Sequence, residues 1–579
     1  MIMKQFIKTA ILLLALLLPL TATAADFVVD GICYNIHGNE AAVASRRVPG
    51  FLFIGYSGDV VIPATVTYDG TTYPVTSIEA IALYGSTELT SIVVPNSVTE
   101  IGQEAFGNCP GLTSIVVDSG NPRFDSRNNC NAIIETADNV LIAGCKNTII
   151  PNSVTKIGNF AFDCCDSLTS IVIPNSVTEI GHYAFYSCDS LTSIDIPNSV
   201  IEIGYGVFES CSGLTSIVVE SGNPTYDSRN NCNAIIETAD NTLIYGCKNT
   251  TIPNSVTTID DYAFYNCDGL TSIDIPDSVT EIGSSAFSGC TGLTGINIPN
   301  SVTAIGGNAF NNTAWYKNQP FGMVYAGKVA YKYKGSMPSG TNMTFREGTL
   351  GIAGSAFEDC DGLTSIVIPN SVTSIGDGVF ESCSGLTSIV VESGNPRYDS
   401  HNNCNAIIET ASNTLIAGCK NTTIPKSVTA IGDLAFAGCD GLTSIDIPNS
   451  VTEINYFAFY QCFGLTDVYC YIADLSRVST GYEPFCLDGY DYSGRTLHVL
   501  QGTADAYRAD ENWYPYFGQI VEDIFIGDVN HDLEVNISDV NAVINMILSG
   551  NDNTSAADVN GDGEVNISDI NALIDIILH

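Results

Sequence analysis

A 23-residue unit recurs through most of the chain, and this repetition constrains the fold more than any other feature. The copy from Leu168 to Ser190 reads LTSIVIPNSVTEIGHYAFYSCDS, and its first leucine has equivalents along the chain. These equivalents are Leu89, Leu112, Leu191, Leu214, Leu270, Leu293, Leu363, Leu386, Leu442 and Leu465. A unit this short cannot bury its apolar face alone, so about eleven copies must stack into a solenoid.

Insertions interrupt the 23-residue spacing at four places. The gaps of 56 residues after Leu112, Leu214 and Leu386 contain near-copies of one insert. The gap of 70 residues after Leu293 contains a different insert with Trp315. Each of these gaps is long enough for whole repeat units and an additional segment outside the repeat, so we expect the solenoid to continue beneath the inserts.

Within a unit, alternating apolar residues precede a turn. Ile171 and Ile173 alternate at period two and are closed by Pro174, which predicts a short strand. The return path supplies further inward positions at Val177, Ile180, Ala184, Phe185 and Cys188. The sequence therefore predicts a β-rich solenoid, a parallel sheet whose strands are joined by short turns or helices.

Both ends of the array lose the repeat, as terminal caps do. Residues 26–88 keep one degenerate unit, residues 89–470 hold the repeats, and residues 471–523 are rich in aromatic side chains. The 23-residue unit, the SGNPxYDSRNNCNAIIETADNTLIxGC insert and the caps resemble BspA-like leucine-rich-repeat surface proteins over about Asp26 to Asp523. The resemblance implies a leucine-rich-repeat solenoid on an extracellular or surface protein that binds a protein or glycan ligand.

The first 24 residues have the features of a cleaved export signal. Lys4 and Lys8 precede an apolar run from Ala10 to Leu20, and Ala22-Thr23-Ala24 supplies a small-residue cleavage site. The pattern predicts a signal peptide over 1–24 and a secreted or cell-surface protein. No other stretch reaches the roughly 18 uninterrupted apolar residues of a membrane helix, so no direct membrane span is expected.

The charge balance excludes several classes of partner. With 63 acidic and 21 basic side chains, the chain has a formal net charge of −42. Nucleic acids and anionic lipids are bound by clustered Lys and Arg, so neither is an expected partner. The acidity instead favours solubility and divalent cations.

Half of the twenty cysteines occupy one rung of the predicted solenoid. Thr313 takes this position in the unit with Phe310, so no thiol chemistry is required there. We therefore expect buried, unreactive thiols on this rung. The rung cysteines are Cys109, Cys165, Cys188, Cys211, Cys267, Cys290, Cys360, Cys383, Cys439 and Cys462.

A second set of cysteines flanks the NAIIETADNxLIxG segment of each insert. A two-residue hairpin turn at the midpoint would place the two cysteines of a pair opposite each other. That position allows a disulfide but does not require one. The pairs are Cys130 with Cys145, Cys232 with Cys247, and Cys404 with Cys419.

Tyrosines cluster on one side of the predicted coils, whereas the exposed strand positions are small and nearly uncharged. Tyrosine contributes contact area at low entropic cost, so this side is a candidate ligand face. The same rings could instead only cover the edge of the solenoid. The candidates are Tyr183, Tyr186, Tyr262, Tyr265, Tyr456 and Tyr460.

Two near-identical segments follow Asp523, where the chain has no further Lys or Arg. They read DVNHDLEVNISDVNAVINMIL from Asp528 and DVNGDGEVNISDINALIDIIL from Asp558. Oxygen-bearing side chains fall at loop positions 1, 3, 5, 9 and 12, and position 7 would contribute a backbone carbonyl, which predicts two Ca²⁺ sites. Their residues are Asp528, Asn530, Asp532, Glu534, Asn536 and Asp539, and then Asp558, Asn560, Asp562, Glu564, Asn566 and Asp569.

A helix is predicted directly after each loop, with one apolar face for the other helix. The apolar positions are Val540, Val543, Ile544, Ile547 and Leu548, and then Ile570, Leu573, Ile574, Ile577 and Leu578. A duplicated loop with Asp at position 12 and one helix on its far side resembles the type I dockerin domain over about Gly527 to His579. The resemblance implies a small all-α calcium-binding module over residues 524–579.

The same resemblance implies docking onto a cohesin-like partner through loop positions 10 and 11. These positions are Ile537, Ser538, Ile567 and Ser568, and their identity in both halves would permit two binding orientations. The first loop has Leu533 where the second has Gly563, and the sharp turn prefers Gly. We therefore expect the first site to be the weaker one.

Enzymatic activity is not expected, and no catalytic residues are assigned. No GxSxG, HExxH or phosphate loop is present, and solenoid surfaces lack the deep cleft that paired catalytic carboxylates need. The sequence predicts an exported, non-enzymatic binding or adhesion scaffold with a calcium-dependent attachment module. Alternatives are a component of an extracellular polysaccharide-degrading complex, a passive spacer, or a module that calcium only folds.

Overall fold

In the computed structural model of the chain, residues 23 positions apart lie side by side on neighbouring coils. Ser193–Ile196 pairs in parallel with Ser216–Val219, and Glu179–Ile180 pairs in parallel with Glu202–Ile203. One repeat therefore forms one coil. The predicted β-solenoid with parallel sheets is confirmed.

The structure describes residues 25–48, 52–53, 55–487, 489, 492–525, 527–530, 535–549, 555–560 and 564–578. The predicted signal peptide over 1–24 lies outside these residues. The chain divides into two units. The first contains the described residues up to Val302 together with Asn308–Gln319, and the second contains Thr303–Gly307 and the described residues from Pro320 onward.

Among the described residues the longer strands pair in parallel in separate short sheets, three in the first unit and two in the second. Alternate residues point into the core, so Ile194 and Ile196 are buried while Ser193 and Asp195 are exposed. In the first unit these strands are Ser57–Val61, Glu88–Val94, Ser114–Val117, Ser193–Ile196, Ser216–Val219, Ser272–Asp274 and Gly295–Asn297. In the second unit they are Thr341–Met343, Leu363–Ile368, Ser388–Val391, Ser444–Ile447, Asp467–Cys470, Thr496–Leu500 and Gln519–Ile524.

The strand predicted at Ile171 and Ile173 does not form, although both side chains are buried. This segment contacts the next coil through a hydrogen bond from the Thr192 amide to the Thr169 carbonyl, at 3.4 Å. A single long bond does not make a ladder. The alternating pattern therefore predicted burial correctly but not strand pairing.

Two-residue strands pair on the return path and form the short-strand ladder. All of those listed here except Ser479–Thr480 have isoleucine as their second residue, and Ile157 and Ile180, which pair in register, are completely buried. These strands are Glu100–Ile101, Lys156–Ile157, Glu179–Ile180, Glu202–Ile203, Thr258–Ile259 and Glu281–Ile282 in the first unit. In the second unit they are Ala304–Ile305, Gly351–Ile352, Ser374–Ile375, Ala430–Ile431, Glu453–Ile454 and Ser479–Thr480.

Each of the three related inserts adds an antiparallel hairpin that joins the short-strand ladder. In the first insert, Val140–Gly144 pairs with Lys156–Ile157 in parallel. The insert strands are Phe124–Asp125, Ala132–Glu135 and Val140–Gly144; Tyr226–Asp227, Ala234–Glu237 and Thr242–Gly246; and Tyr398–Asp399, Ile407–Glu409 and Thr414–Ala417. Their 3₁₀ turns are Arg127–Asn129, Arg229–Asn231 and His401–Asn403.

The fourth insert has its own elements. It contains the short helix α1 (Ala314–Lys317), capped by the Thr313 hydroxyl, which accepts a hydrogen bond from the Tyr316 amide. Gly322–Ala326 and Val329–Lys334 then form a hairpin that joins the short-strand ladder at Gly351–Ile352.

Stacked phenylalanine rings fill the core of the coils. In the first unit the ring of Phe185 lies 5.1 Å from that of Phe162 and 5.7 Å from that of Phe208. In the second unit, Phe459 lies 4.9 Å from Phe436. The five return-path positions predicted to point inward around Phe185 are all buried, so the 23-residue pattern predicts the core well.

The caps close both ends of the array. The N-terminal cap strands are Phe27–Val29, Ile32–His37, Glu40–Val43, Arg47–Val48, Leu52–Phe53, Thr65–Tyr68 and Thr71–Ile78. The C-terminal cap contains helix α2 (Ala504–Ala509), the 3₁₀ turns Leu475–Arg477 and Tyr514–Tyr516, and the fully buried Trp513. After it come the 3₁₀ turn Ser555–Ala557 and the helices α3 (Ile537–Ser549) and α4 (Ile567–Leu578).

Candidate functional site

The aspartate at position 12 holds the first candidate calcium loop together. Asp539 is fully buried, and its Oδ1 accepts hydrogen bonds from the Val529 amide at 2.7 Å and the Asn530 amide at 3.1 Å. Its Oδ2 accepts from the Asn536 amide at 2.8 Å. One carboxylate thus draws both ends of the loop toward the start of α3.

The second loop repeats this arrangement. The buried Asp569 accepts hydrogen bonds from the Asn560 amide at 3.2 Å and the Asn566 amide at 2.8 Å. In each half the position-9 asparagine then caps the helix that follows. The Asn536 side chain accepts from the Ser538 amide and the Asn566 side chain from the Ser568 amide, both at 2.8 Å.

Nine of the twelve predicted calcium ligands belong to the described residues. Asp532, Glu534 and Asp562 lie outside them, as do Leu533 and Gly563. Within the described part of the chain, no group of three His, Cys, Asp or Glu residues is arranged to hold a metal ion. The donor chemistry nevertheless fits calcium, because each loop has carboxylate and amide oxygens at the spacing of a calcium loop and is closed by a buried aspartate.

The two helices pack together through part of their predicted apolar faces. Val543 of α3 and Leu573 of α4 are completely buried in a shared cluster. Leu548 and Leu578, predicted to lie on the same faces, are exposed instead. Both residues lie in the last turns of their helices, beyond the packed region.

The predicted partner-binding positions stand open on the module. Ile537 is 66% exposed and Ile567 is 71% exposed, and Ser538 and Ser568 are exposed beside them. Each helix thus begins with an exposed isoleucine followed by an exposed serine, at equivalent places in the two halves.

Three of the six tyrosines predicted as a ligand face are buried. Tyr183, Tyr262 and Tyr460 have exposures of 6%, 4% and 2%. The rings of Tyr183 and Tyr262 lie edge-on to the ring of Tyr205, with centroids 5.5 and 5.6 Å away. For these three residues the prediction was wrong, because their rings pack between coils and offer no contact area.

The remaining three candidates keep some access to solvent. Tyr186 and Tyr265 are half-buried in the first unit, and Tyr456 of the second unit is 42% exposed. The backbone explains part of the difference. Tyr183 and Tyr262 have φ angles of 55° and 59°, a left-handed conformation that L side chains seldom adopt.

All ten rung cysteines are buried free thiols. Several of these thiols donate to a carbonyl of the preceding coil, as in Cys188 Sγ to Phe162 O at 3.2 Å and Cys290 Sγ to Phe264 O at 3.0 Å. Burial raises the pKa of Cys109 and Cys267 to about 12. Thr313 uses the same rung, and its hydroxyl donates to the Phe310 carbonyl at 2.7 Å.

The insert cysteines are also free thiols, and a β-bulge accounts for their positions. Near the turn Glu135 faces Val140, as a turn centred between Ala137 and Asp138 requires, but four residues form the turn rather than two. A register shift between Ile133 and Ile134 then brings Ala132 opposite Gly144. The shift moves each cysteine pair out of direct opposition.

The same geometry recurs in the other two inserts, where the register shifts between Ile235 and Ile236 and between Ile407 and Ile408. In each insert the second cysteine donates to an asparagine carbonyl at 3.4 to 3.5 Å. These acceptors are Asn131, Asn233 and Asn405.

Two clusters of polar residues were missed by the sequence analysis. In the C-terminal cap, His498 Nδ1 lies 2.8 Å from Asp523 and Nε2 lies 3.1 Å from Asp467, with Tyr469 stacked on the ring at 4.3 Å. The three residues stand on adjacent strands and tie them together. No repeat signal exists there, because the cap breaks the 23-residue period.

The other missed group is a set of acids, buried or half-buried, that directly follow the ladder phenylalanines. Asp163, Glu209 and Glu381 follow Phe162, Phe208 and Phe380. Burial and then the Glu104 carboxylate raise the pKa of Asp163 to about 7. Glu358 after Phe357 is a fourth acid at this place, where the other coils have Gly, Tyr, Ser, Asn or Ala, so the signal was visible in the sequence.

Stacked parallel coils with a C-terminal pair of loop-helix units define a class of protein, a repeat solenoid carrying a small helical module. Two family models refine this class. The BspA type leucine rich repeat region matches in six copies over residues 70–134, 142–242, 239–322, 335–410 and 408–479, together more than half of the chain. The dockerin type I domain matches residues 526–578. The chain therefore belongs to the BspA type leucine rich repeat family and carries a type I dockerin domain.

Three solved structures illustrate what the chain is similar to. A leucine rich cell surface protein from Faecalibacterium prausnitzii A2-165 is 26% identical, over 79% of this chain and 97% of that chain, with a TM-score of 0.26. A leucine-rich repeat protein from Bacteroides ovatus ATCC 8483 is 24% identical, over 86% and 100%, with a TM-score of 0.24. The pneumococcal vaccine antigen PcpA is 15% identical, over 87% and 100%, with a TM-score of 0.34. TM-scores this low carry no argument, so the assignment rests on the family models.

No curated protein sequence matches the chain. Leucine-rich repeats and dockerins are typically non-catalytic binding modules of extracellular or cell-surface proteins, and the family models match no enzymatic domain. Type I dockerin domains generally bind calcium. None of the helices in the described ranges has the length and apolar character that would let it span a membrane.

Proposed function

We propose that this chain is an exported, non-enzymatic binding or adhesion scaffold, attached through its dockerin module to a cohesin-like partner in a calcium-dependent way. The observation that carries the proposal is the duplicated loop closed by a buried aspartate, with an exposed Ile-Ser pair after it in both halves. The export signal over 1–24 is part of the same proposal.

Each loop would hold one Ca²⁺ ion through its carboxylates, amide oxygens and one backbone carbonyl. The aspartates at positions 1, 5 and 12 repel one another, and a bound divalent cation would offset that repulsion. Because the unfolded module offers no such site, the free energy of binding becomes free energy of folding. The module is therefore expected to be loose without calcium.

The partner surface would centre on the exposed pairs Ile537-Ser538 and Ile567-Ser568. An exposed apolar residue flanked by a small polar one can bury its side chain in a partner without leaving a charge unpaired. Since the two pairs are identical and stand at equivalent places, either half could serve as the docking surface.

The solenoid would bind a protein ligand through those tyrosines that remain accessible to solvent. Tyr186 and Tyr265 in the first unit, and Tyr456 in the second, remain candidates. Their replacement by Ser should weaken adhesion to immobilised matrix proteins. Adhesion that survives this change but is lost when Asp195 and Asp274 are altered would place the ligand on the strand face instead.

Calorimetric titration of the full chain with calcium tests the central proposal. Wild-type protein should take up two Ca²⁺ ions, and Asp558→Ala with Asp562→Ala should weaken calcium binding by more than about tenfold. The pair Asp528→Ala with Asp532→Ala should cost less, because the first loop has Leu533 at the position where a sharp turn prefers Gly. Asp195→Ala with Asp274→Ala on the solenoid is the matched control.

No calcium uptake by the wild type, or a module that stays fully ordered in chelator, would contradict the proposed calcium sites. The docking role is read separately, by capture of a cohesin-bearing partner in calcium. Charged substitutions at Ile537 and Ile567 should abolish capture while calcium uptake remains. If they change nothing, the metal sites stand and the docking role falls.

A further inference from the structure

A single lysine interrupts the most regular turn of the solenoid. In ten coils the strand segment is followed by Pro, a variable residue and Ser, and nine of these variable residues are Asn or Asp. The tenth is Lys426, in the Pro425-Lys426-Ser427 turn. The nine are Asn96, Asn152, Asn175, Asn198, Asn254, Asp277, Asn300, Asn370 and Asn449. The packing of the coil does not require the exception, because its neighbours make the same turn without it.

Lys426 instead contacts the dockerin module. Its Nζ lies 3.2 Å from Oδ2 of Asp558, the first residue of the second loop. The two side chains are only 13% and 9% exposed, so the ion pair is largely shielded from solvent. The electrostatic attraction within this shielded pair is stronger than that between two solvent-exposed charges at the same distance.

Apolar contacts support the pair on the neighbouring coils. Ala556 of the module is buried in one cluster with Tyr471, Leu500 and Ile524, and Tyr469 packs against it. Tyr471 and Leu500 directly follow Cys470 and Val499, which are paired in register. Lys426, Tyr471 and Leu500 therefore belong to the edge of the solenoid where its strands end, and the module is seated on this edge.

We infer that the Lys426 ammonium and calcium compete for the Asp558 carboxylate. The Lys426–Asp558 contact would then be a calcium-sensitive latch between the module and the solenoid. The inference rests on the proposed binding of calcium by residues 558–569. A calcium ion lies about 2.3–2.6 Å from its oxygen ligands, so an ammonium on the same carboxylate is repelled by it. Calcium bound in the second loop thus weakens the contact between the module and the solenoid. By linkage, that contact lowers the calcium affinity of the second loop by the same factor.

The latch controls the freedom of the module and not access to its partner-binding positions. Ile537 and Ile567 are exposed while Lys426 holds Asp558. Calcium therefore orders the second loop and also releases it from the solenoid. The released module can move relative to the solenoid, so its exposed partner-binding positions can meet a partner over a larger distance.

Lys426→Asn tests the latch with little risk to the fold, since Asn occupies this turn in eight other coils. In calorimetric titration of the full chain with CaCl₂, the variant should bind calcium at the second loop about fivefold more tightly or better. Lys426→Arg keeps the charge and should resemble the wild type. Lys420→Asn, which removes a lysine elsewhere on the same coil, controls for the change in net charge.

Hydrogen exchange supplies a second readout. Amides of residues 471–473 should exchange more slowly in wild-type protein with chelator than with calcium, whereas in Lys426→Asn they should exchange at the faster rate in both conditions. Equal calcium affinities for wild type and Lys426→Asn, or protection that calcium leaves unchanged, would overturn the latch while calcium binding stands. Absence of calcium uptake in every variant would overturn the proposed function as well.

Discussion

At the scale of single residues, the rung cysteines show how a reactive side chain becomes a structural one. Each is buried, and in most coils burial is the first cause of a pKa at or above about 12, as for Cys109, Cys165 and Cys439. The thiolate is the nucleophile, and its population at neutral pH is then negligible. The thiol acts only as a weak hydrogen-bond donor, and Thr313 at the same position donates to the Phe310 carbonyl of its own coil instead.

Alkylation of the native protein should therefore leave the ten rung cysteines unmodified, whereas alkylation in denaturant should label them all. Mass spectrometry of peptides from both samples measures the difference site by site. The denatured sample is the control for intrinsic reactivity. A disulfide between neighbouring rungs, such as Cys188 with Cys211, would contradict the packing described here.

At the scale of elements, each insert hairpin depends on a glycine that lies against the phenylalanine ladder. A Cβ atom on Gly246 would stand 2.1 Å from Cε1 of Phe264, and the equivalent Gly144 and Gly418 are as close to Phe162 and Phe436. The Gly246 amide also donates to the Ala263 carbonyl at 2.9 Å, which fixes the hairpin at this distance. The glycine thus permits close packing rather than an unusual turn.

Gly246→Ala should lower stability by about 1–3 kcal/mol, because neither the backbone nor the ring can move aside freely. Gly295→Ala is the matched control, since nothing lies within 4 Å of its Cβ position, and it should change stability by less than about 0.5 kcal/mol. Denaturant unfolding followed by circular dichroism compares the two. Equal effects of both changes would mean that the hairpin does not rest on the Phe264 ring.

The elements also show where sequence reasoning stops. Apolar periodicity predicts the inward positions, such as Val177 and Ile180, because burial repeats with every coil. It does not predict the bulge beside Ile133, which depends on how the hairpin meets the next coil. Nor does it predict that Tyr183 has a positive φ and a buried ring. The pairing of Lys426 with Asp558 joins distant segments that no pattern relates, so only the structure reveals it.

At the scale of the whole molecule, charge links the fold to pH. Each unit contains a buried carboxyl group whose pKa is raised, to about 7 for Asp163 and to about 8 for Glu381. Burial is the larger cause in both, followed by a neighbouring glutamate, Glu104 or Glu358. In the unfolded chain such groups titrate near 4. The folded protein therefore holds protons that the unfolded chain has already released.

Stability must then fall as pH rises from about 4 through 7 to 8, because over this range the folded state binds more protons. The net charge of −42 acts in the same direction through self-repulsion. Calorimetric melting in chelator at pH 5 and pH 8 separates the two causes. Asp163→Asn should stabilise the first unit by only about 1.4 kcal/mol at pH 5, one unit above the pKa of the unfolded carboxyl, and by up to about 4 kcal/mol at pH 8. Glu381→Gln should do the same for the second unit, and Asp195→Asn, an exposed control, should do neither. If the stability of the protein depends on pH as strongly in both variants as in the wild type, repulsion between surface charges alone causes that dependence.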